Sequence, residues 1–110
     1  MSSLGVKVFY ETLRSRDSAT FTGAYQTLGG PLEHNPFLVK MVNNSTVPVI
    51  VSLDGVTDQD VCPAGSFFLY DETSNSSREG GLTVARLTQF YIKGAAGVGS
   101  VYLVAQYAGG

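Results

Sequence analysis

Residues 43–70 read NNSTVPVIVSLDGVTDQDVCPAGSFFLY, and they repeat one instruction: extend, reverse, extend again. Val47, Val49, Val51 and Leu53 alternate with Pro48, Ile50, Ser52 and Asp54, the two-residue period that sends alternate side chains to opposite faces of a sheet. Asp54-Gly55 ends that run and Pro63-Ala64-Gly65 ends the next segment; both are suited to a backbone reversal. The stretch predicts three short strands, the last being the aromatic run GSFFLY at residues 65–70. Pro48 has no N–H to give to a ladder, which places that part of the strand at an edge, at its first residues or at a bulge.

Working outward towards the N-terminus, Pro36 bars a helix, and residues 37–42 (FLVKMV) read as a strand buried on one face through Phe37, Val39 and Met41. Residues 21–32 (FTGAYQTLGGPL) predict a short strand near residues 24–27 and a tight turn after Leu28, because Gly29-Gly30-Pro31 tolerates positive φ and then fixes it. Residues 12–20 (TLRSRDSAT) carry charge and no apolar period beyond Leu13, and read as a loop. Residues 6–11 (VKVFYE) alternate, which suits a strand of the main sheet and an arm laid on a neighbour equally.

Towards the C-terminus, residues 71–81 (DETSNSSREGG) predict a long exposed loop, residues 82–85 and 89–93 two pieces of strand, and residues 94–99 (GAAGVG) a flexible connection. The last strand, residues 100–108, has Val101, Leu103, Ala105 and Tyr107 on one face and Tyr102, Val104 and Gln106 on the other. Apolar residues on both faces predict a central position in a sheet. Short strands at spacings near ten residues, without a helical period, make the chain all-β: a β-sandwich or small barrel, with a jelly-roll-like sandwich preferred. The expected organisation is a single domain over residues 21–110, with an N-terminal arm and loop over residues 1–20. Its inner faces are expected to hold Phe37, Val39 and Met41, then Val49, Val51 and Leu53, then Phe67 and Leu69, and finally Ile92, Val101 and Leu103.

A chain of 110 residues, 44% hydrophobic, supports one core. Its net charge of -2, from few charges of either sign, supplies no basic field for nucleic acid or an anionic membrane. Cys62 is the sole cysteine, so an intramolecular disulfide and a cysteine zinc site are both excluded, and the thiol is expected to pack as a small hydrophobe. The start MSSLGVKVFYETLRSRD lacks the pattern of a secretory signal, and no apolar run approaches the roughly 18 residues of a spanning helix. Synthesis and folding in the cytoplasm are therefore expected.

Nucleophilic catalysis needs a base, and His34 is the sole histidine, in a predicted loop beside Pro36; a His34–Cys62 pair is weighed against an exposed histidine and a packed thiol, and the latter is preferred. Asp54, Asp58 and Asp60 in DGVTDQD lack the spacing and closing glutamate of a calcium loop. Gly94, Gly97 and Gly99 form G-x-x-G-x-G, but a strand follows where a dinucleotide site needs a helix. Asn43, Asn44 and Asn75 begin N-x-S/T triplets that read as turn residues in the absence of export. The aromatic set Tyr25, Phe67, Phe68, Tyr70, Phe90, Tyr91, Tyr102 and Tyr107 suits core or protein interface better than a sugar platform, and a sugar platform better than base stacking, since few basic residues accompany it. No catalytic, metal or cofactor site is predicted.

The series FTGAYQTLGGPLEHNPFLVKMVNN, VIVSLDGVTDQDVCPAGSFFLYD and FYIKGAAGVGSVYLVAQYAG resembles small virion structural proteins of tailed bacteriophages. The resemblance spans residues 21–109: a valine-rich strand ending in S-x-D-G, a P-A-G turn into an aromatic strand, and a closing Y-I-K-G-x-x-G-x-G-x-V-Y-L-V. It implies a non-enzymatic decoration, or cement, protein of jelly-roll type without a cofactor. Such a protein sits on the outer capsid surface of the virion, binds the major capsid protein and itself as a homo-oligomer (dimer or trimer), and binds neither nucleic acid nor membrane. On that reading residues 1–10 are an arm whose Val6, Val8, Phe9 and Tyr10 contact the partner. The alternative is a tail or fibre module that binds a host glycan between the loops at residues 54–59 and 71–81.

Overall fold

A computed structural model describes residues 7–71 and 86–109. These form two antiparallel sheets. The first contains β1 (Lys7–Tyr10), β2 (Arg14–Asp17), β4 (Leu38–Ser45), β7 (Ser66–Asp71) and β9 (Gly99–Gly109) in the order β1-β9-β4-β7, with β2 also on β9. The second contains β3 (Gln26–Thr27), β5 (Val49–Ser52), β6 (Asp60–Cys62) and β8 (Tyr91–Lys93) in the order β3-β8-β5-β6. A 3-10 turn, Ser18–Thr20, follows β2.

The pairing follows a simple rule. β1 and β2 pair with β9, β3 with β8, β4 with β7 and β5 with β6, all antiparallel, so the first half of the chain runs back along the second half like one long hairpin. That hairpin is rolled until β9 also meets β4 and β8 also meets β5. The result is the jelly-roll sandwich expected from the sequence. β9 is central in its sheet, as its two apolar faces predicted. Pro48 stands just before the first residue of β5, a position where its missing N–H costs nothing.

The core lies between the sheets. Val39, Met41, Val101, Leu103 and Ala105 enter it from the first sheet and Val49, Val51, Cys62 and Ile92 from the second. Phe21, Leu28, Leu32 and Phe90 fill it from the connections, held by backbone bonds from Leu28 N–H to Phe90 O and from Leu32 N–H to Thr88 O. Buried Asn43 closes one end: its Nδ2 donates to Val47 O at 2.8 Å, Cys62 O at 3.0 Å and Pro63 O at 3.2 Å. One side chain thereby satisfies carbonyls of two turns that burial removes from water.

Several expectations are corrected. Leu53, Phe67 and Leu69 are exposed; β7 turns Phe68 and Tyr70 inwards instead, because Phe67 pairs with Val42 and Leu69 with Lys40 on the outer face of β4. Phe37 is half-buried just before β4. Residues 12–20 are no loop: Arg14–Asp17 is a strand of the first sheet. With β1 on β9 as well, residues 7–20 lie within the sandwich, although the sequence set residues 1–20 apart. In residues 94–99, expected as a flexible connection, the glycines are closely packed while Ala95, Ala96 and Val98 are exposed. A Cβ on Gly97 would stand 2.9 Å from Val47 Cγ1, and one on Gly99, at φ +94°, would stand 2.2 Å from Asn44 O. The strand expected at residues 82–85 and most of the loop expected at residues 71–81 lie outside the described residues.

Candidate functional site

The residues weighed for catalysis are kept apart by the register. Cys62 O bonds to Asn43, which pairs with Val101. His34 stacks flat on Tyr107, ring centroids 3.7 Å apart. Val101 and Tyr107 are six positions apart on β9, about 20 Å along a strand. Cys62 is fully buried, and that burial raises its thiol pKa, opposite to what a nucleophile needs. The three aspartates are each engaged locally. Asp54 Oδ1 accepts from Ser52 Oγ at 2.7 Å and from the Val56 and Thr57 N–H groups, which hold its carboxyl well below the usual carboxylate range. Asp58 pairs with the Tyr25 hydroxyl and with Lys93 Nζ at 2.9 Å, and Asp60 accepts from the Tyr70 hydroxyl at 3.0 Å.

The densest ionisable cluster joins the β1–β2 corner to residues 29–34. The Glu11 side chain is wholly buried, and its carboxylate accepts from Arg14 Nη2 at 2.8 Å, from the Glu33 N–H at 3.1 Å, from the His34 N–H at 2.8 Å and from His34 Nδ1 at 3.2 Å. Burial pushes its pKa up, but these donors more than offset that and hold it below its ordinary value. Arg14 continues to Gly30 O and Pro31 O, both at 2.8 Å. Glu11, Glu33 and His34 place ligand-type atoms within 4.8 Å of one another. Glu11 is already saturated by N–H donors, though, and a cation on it would have to displace the Arg14 guanidinium. The cluster is an anchor for the corner, and no spacing motif in the sequence announced it.

The outer face of the first sheet is different in kind. Register places Val8 and Tyr10 of β1, Leu38, Lys40 and Val42 of β4, Phe67 and Leu69 of β7, and Tyr102, Val104 and Gln106 of β9 on it together. Val8 is 51% exposed, Tyr10 64%, Phe67 61% and Leu69 49%. Lys40 is the one charge at the centre of this apolar band. Outer sheet faces of a sandwich ordinarily carry polar residues, and this exposed apolar band departs from that pattern. Among the residues expected to touch a partner, Val8 and Tyr10 lie on this face, Phe9 lies on the other face and stacks on Tyr107, and Val6 lies outside the described residues.

The outer face of the second sheet offers a shallower feature, a 430 Å³ depression over Pro48, Ile50 and Val61 beside Lys93. Lys93 Nζ lies 4.7 Å from the Tyr25 ring centroid and covers that face of the ring, while burial and Asp58 push the Tyr25 hydroxyl up to about 12. The ring therefore presents no open stacking platform on that side for a sugar. Residues 12–15 and 29–33, which Arg14 ties together, line an open groove of 610 Å³ with exposed Leu13 and Leu87 on it. Leu87 has φ +73°, a conformation leucine seldom adopts.

No protein-family model matches the chain, and no curated protein matches it. Among solved structures, one described as "Bacillus endospore appendages form a novel family of disulfide-linked pili" is similar to it with a TM-score of 0.48 and 14% identity, over 98% of this chain and 94% of that one. The likeness is weak.

Proposed function

We propose that this chain is a non-enzymatic structural subunit of a tailed-phage particle, a decoration (cement) protein on the outer capsid surface that holds neighbouring major capsid subunits together as a homo-oligomer. The observation that carries the reading is the apolar outer face of the first sheet, where Val8, Tyr10, Phe67 and Leu69 are exposed in one register with half-buried Leu38, Val42, Tyr102 and Val104. Burial of such a band contributes roughly 25 cal/mol per Å² of apolar surface removed from water. The resemblance of residues 21–109 to small virion proteins supplies the setting. Many copies repeated by symmetry, each making modest contacts, clamp a shell through multivalency.

The test is add-back of purified chain to particles that lack it. The wild type is expected to bind and to raise the temperature at which the shells rupture. Lys40→Glu reverses the charge at the centre of the face without touching the core, and is expected to weaken binding at least tenfold. Unchanged binding by Lys40→Glu together with Val104→Asp would remove this face from the account.

A further inference from the structure

The sandwich has free strand edges, and most of them are blunted. Along β2, Arg14 Nε and Nη2 hold Gly30 O and Pro31 O, and Arg16 Nε holds Thr27 O, so residues 27–31 lie against that edge. β3 has two residues, and β6 has three, including Asp60. Short strands, covering segments and charges are the usual ways in which sheets avoid pairing with foreign strands. β7 lacks them between Ser66 and Tyr70, and β1, four residues long, carries its one charge at its first residue, Lys7. β7 is SFFLYD, uncharged from Ser66 to Tyr70 and without proline; β1 is KVFY. Among the described residues nothing pairs with the outer side of either.

These two edges lie on opposite sides of the same sheet, and they match each other. β1 and β4 both run antiparallel to β9, and β7 runs antiparallel to β4. β1 of a second copy in the same orientation, set beside β7, is therefore antiparallel to it. The faces also agree: Val8 and Tyr10 point to the outer side with Phe67 and Leu69, and Phe9 points to the inner side with Phe68 and Tyr70. Placing Val8 opposite Leu69, Phe9 opposite Phe68 and Tyr10 opposite Phe67 keeps every side chain on its own face, which a one-residue slip would reverse. It also creates cross-strand aromatic pairs of a stabilising kind.

We propose that copies of this chain join edge to edge, with β1 of one copy adding as a strand beyond β7 of the next. The contact is heterologous, since each copy offers one edge of each kind, and it extends the apolar outer face across the junction. The inference rests on the homo-oligomer part of the reading above but needs no capsid, so it is tested on the purified chain alone while particle binding is measured separately.

The experiment combines sedimentation from micromolar to millimolar concentration with backbone hydrogen exchange. For the wild type, mass is expected to rise with concentration as exchange slows at residues 7–10 and 66–71. Val8→Lys and Leu69→Lys, both at exposed positions, are each expected to weaken association at least tenfold with an unchanged far-UV circular dichroism spectrum. An equimolar mixture of the two variants is expected to restore a one-to-one complex and nothing longer, because one retains an intact β7 edge and the other an intact β1 edge. A wild type that stays monomeric to millimolar concentration overturns the proposal. Association without slowed exchange at both strands overturns it too, as does a mixture that fails to restore the pair. Should a variant misfold, the wild-type exchange result decides.

Discussion

Glutamine in place of Glu11 keeps the shape of the side chain and removes its charge. The wild-type carboxylate is fully buried and faces only donors: Arg14 Nη2, the Glu33 and His34 N–H groups, and His34 Nδ1. A glutamine must turn its own NH2 towards some of them, so at least one buried donor loses its acceptor. Removing one partner of a buried ion pair costs about 3–5 kcal/mol. Arg14 keeps three carbonyl acceptors, Thr12 O, Gly30 O and Pro31 O, which puts Glu11→Gln at the lower end, about 3 kcal/mol. For a chain of this size roughly 4 °C accompanies each kcal/mol, so the midpoint of unfolding should fall by about 12 °C at pH 7. Thermal unfolding followed by circular dichroism, with urea titration as a second probe, measures this. The pH dependence adds a sharper check. The folded pKa of Glu11 lies below its ordinary value of 4.5, so its stabilisation is complete above that value and is lost as pH falls through the folded pKa. The gap between wild type and variant should be full at pH 7 and should narrow below about pH 4.5. A loss under 1 kcal/mol at pH 7, or a gap independent of pH down to 3, would refute the anchoring role of this carboxylate.

Three further outcomes are expected. Phe67→Ala should change stability by less than about 0.5 kcal/mol while Phe68→Ala costs about 3 kcal/mol in urea unfolding, because only Phe68 points inwards; the reverse order would mean that β7 is out of register. Gly99→Ala forces a Cβ to within 2.2 Å of Asn44 O at φ +94°, and should cost at least about 2 kcal/mol and yield little folded protein; a variant with wild-type melting would contradict that packing. Cys62 should resist a thiol reagent in the native chain and react once urea unfolds it, given its full burial and raised pKa; rapid native labelling would place the thiol elsewhere.

The fold class was legible because alternation and turn residues coincide in residues 43–70, and because β9 advertises two apolar faces. The phase of β7 was not. In SFFLY every position suits a core, and a continuous apolar run carries no information about which side is inner; the pairing of Phe67 with Val42 decides it. Alternation carried one step past Ser52 points Leu53 inwards, yet Leu53 is exposed. The strand stops at Ser52, whose Oγ accepts from the Asp54 and Gly55 N–H groups and bends the chain away. β2 was invisible because RSRD has no apolar period. It is a strand through its ladder to central β9, with its arginines spent on carbonyls of residues 27–31. The same limit hid the Glu11 cluster, whose members are brought together by a contact between residues 23 positions apart. The outer face was half visible: Leu38, Lys40 and Val42 could be assigned to one side of their strand, but its extent depends on which strands lie beside it.

The most direct test of the central claim is the copy number of this chain relative to the major capsid protein in purified particles, by quantitative mass spectrometry. The account predicts a ratio set by the shell lattice, within a small integer factor of one copy per capsid subunit or per symmetry axis. A ratio lower by tenfold or more, as a tail component would give, or absence of the chain from the particle, would contradict it.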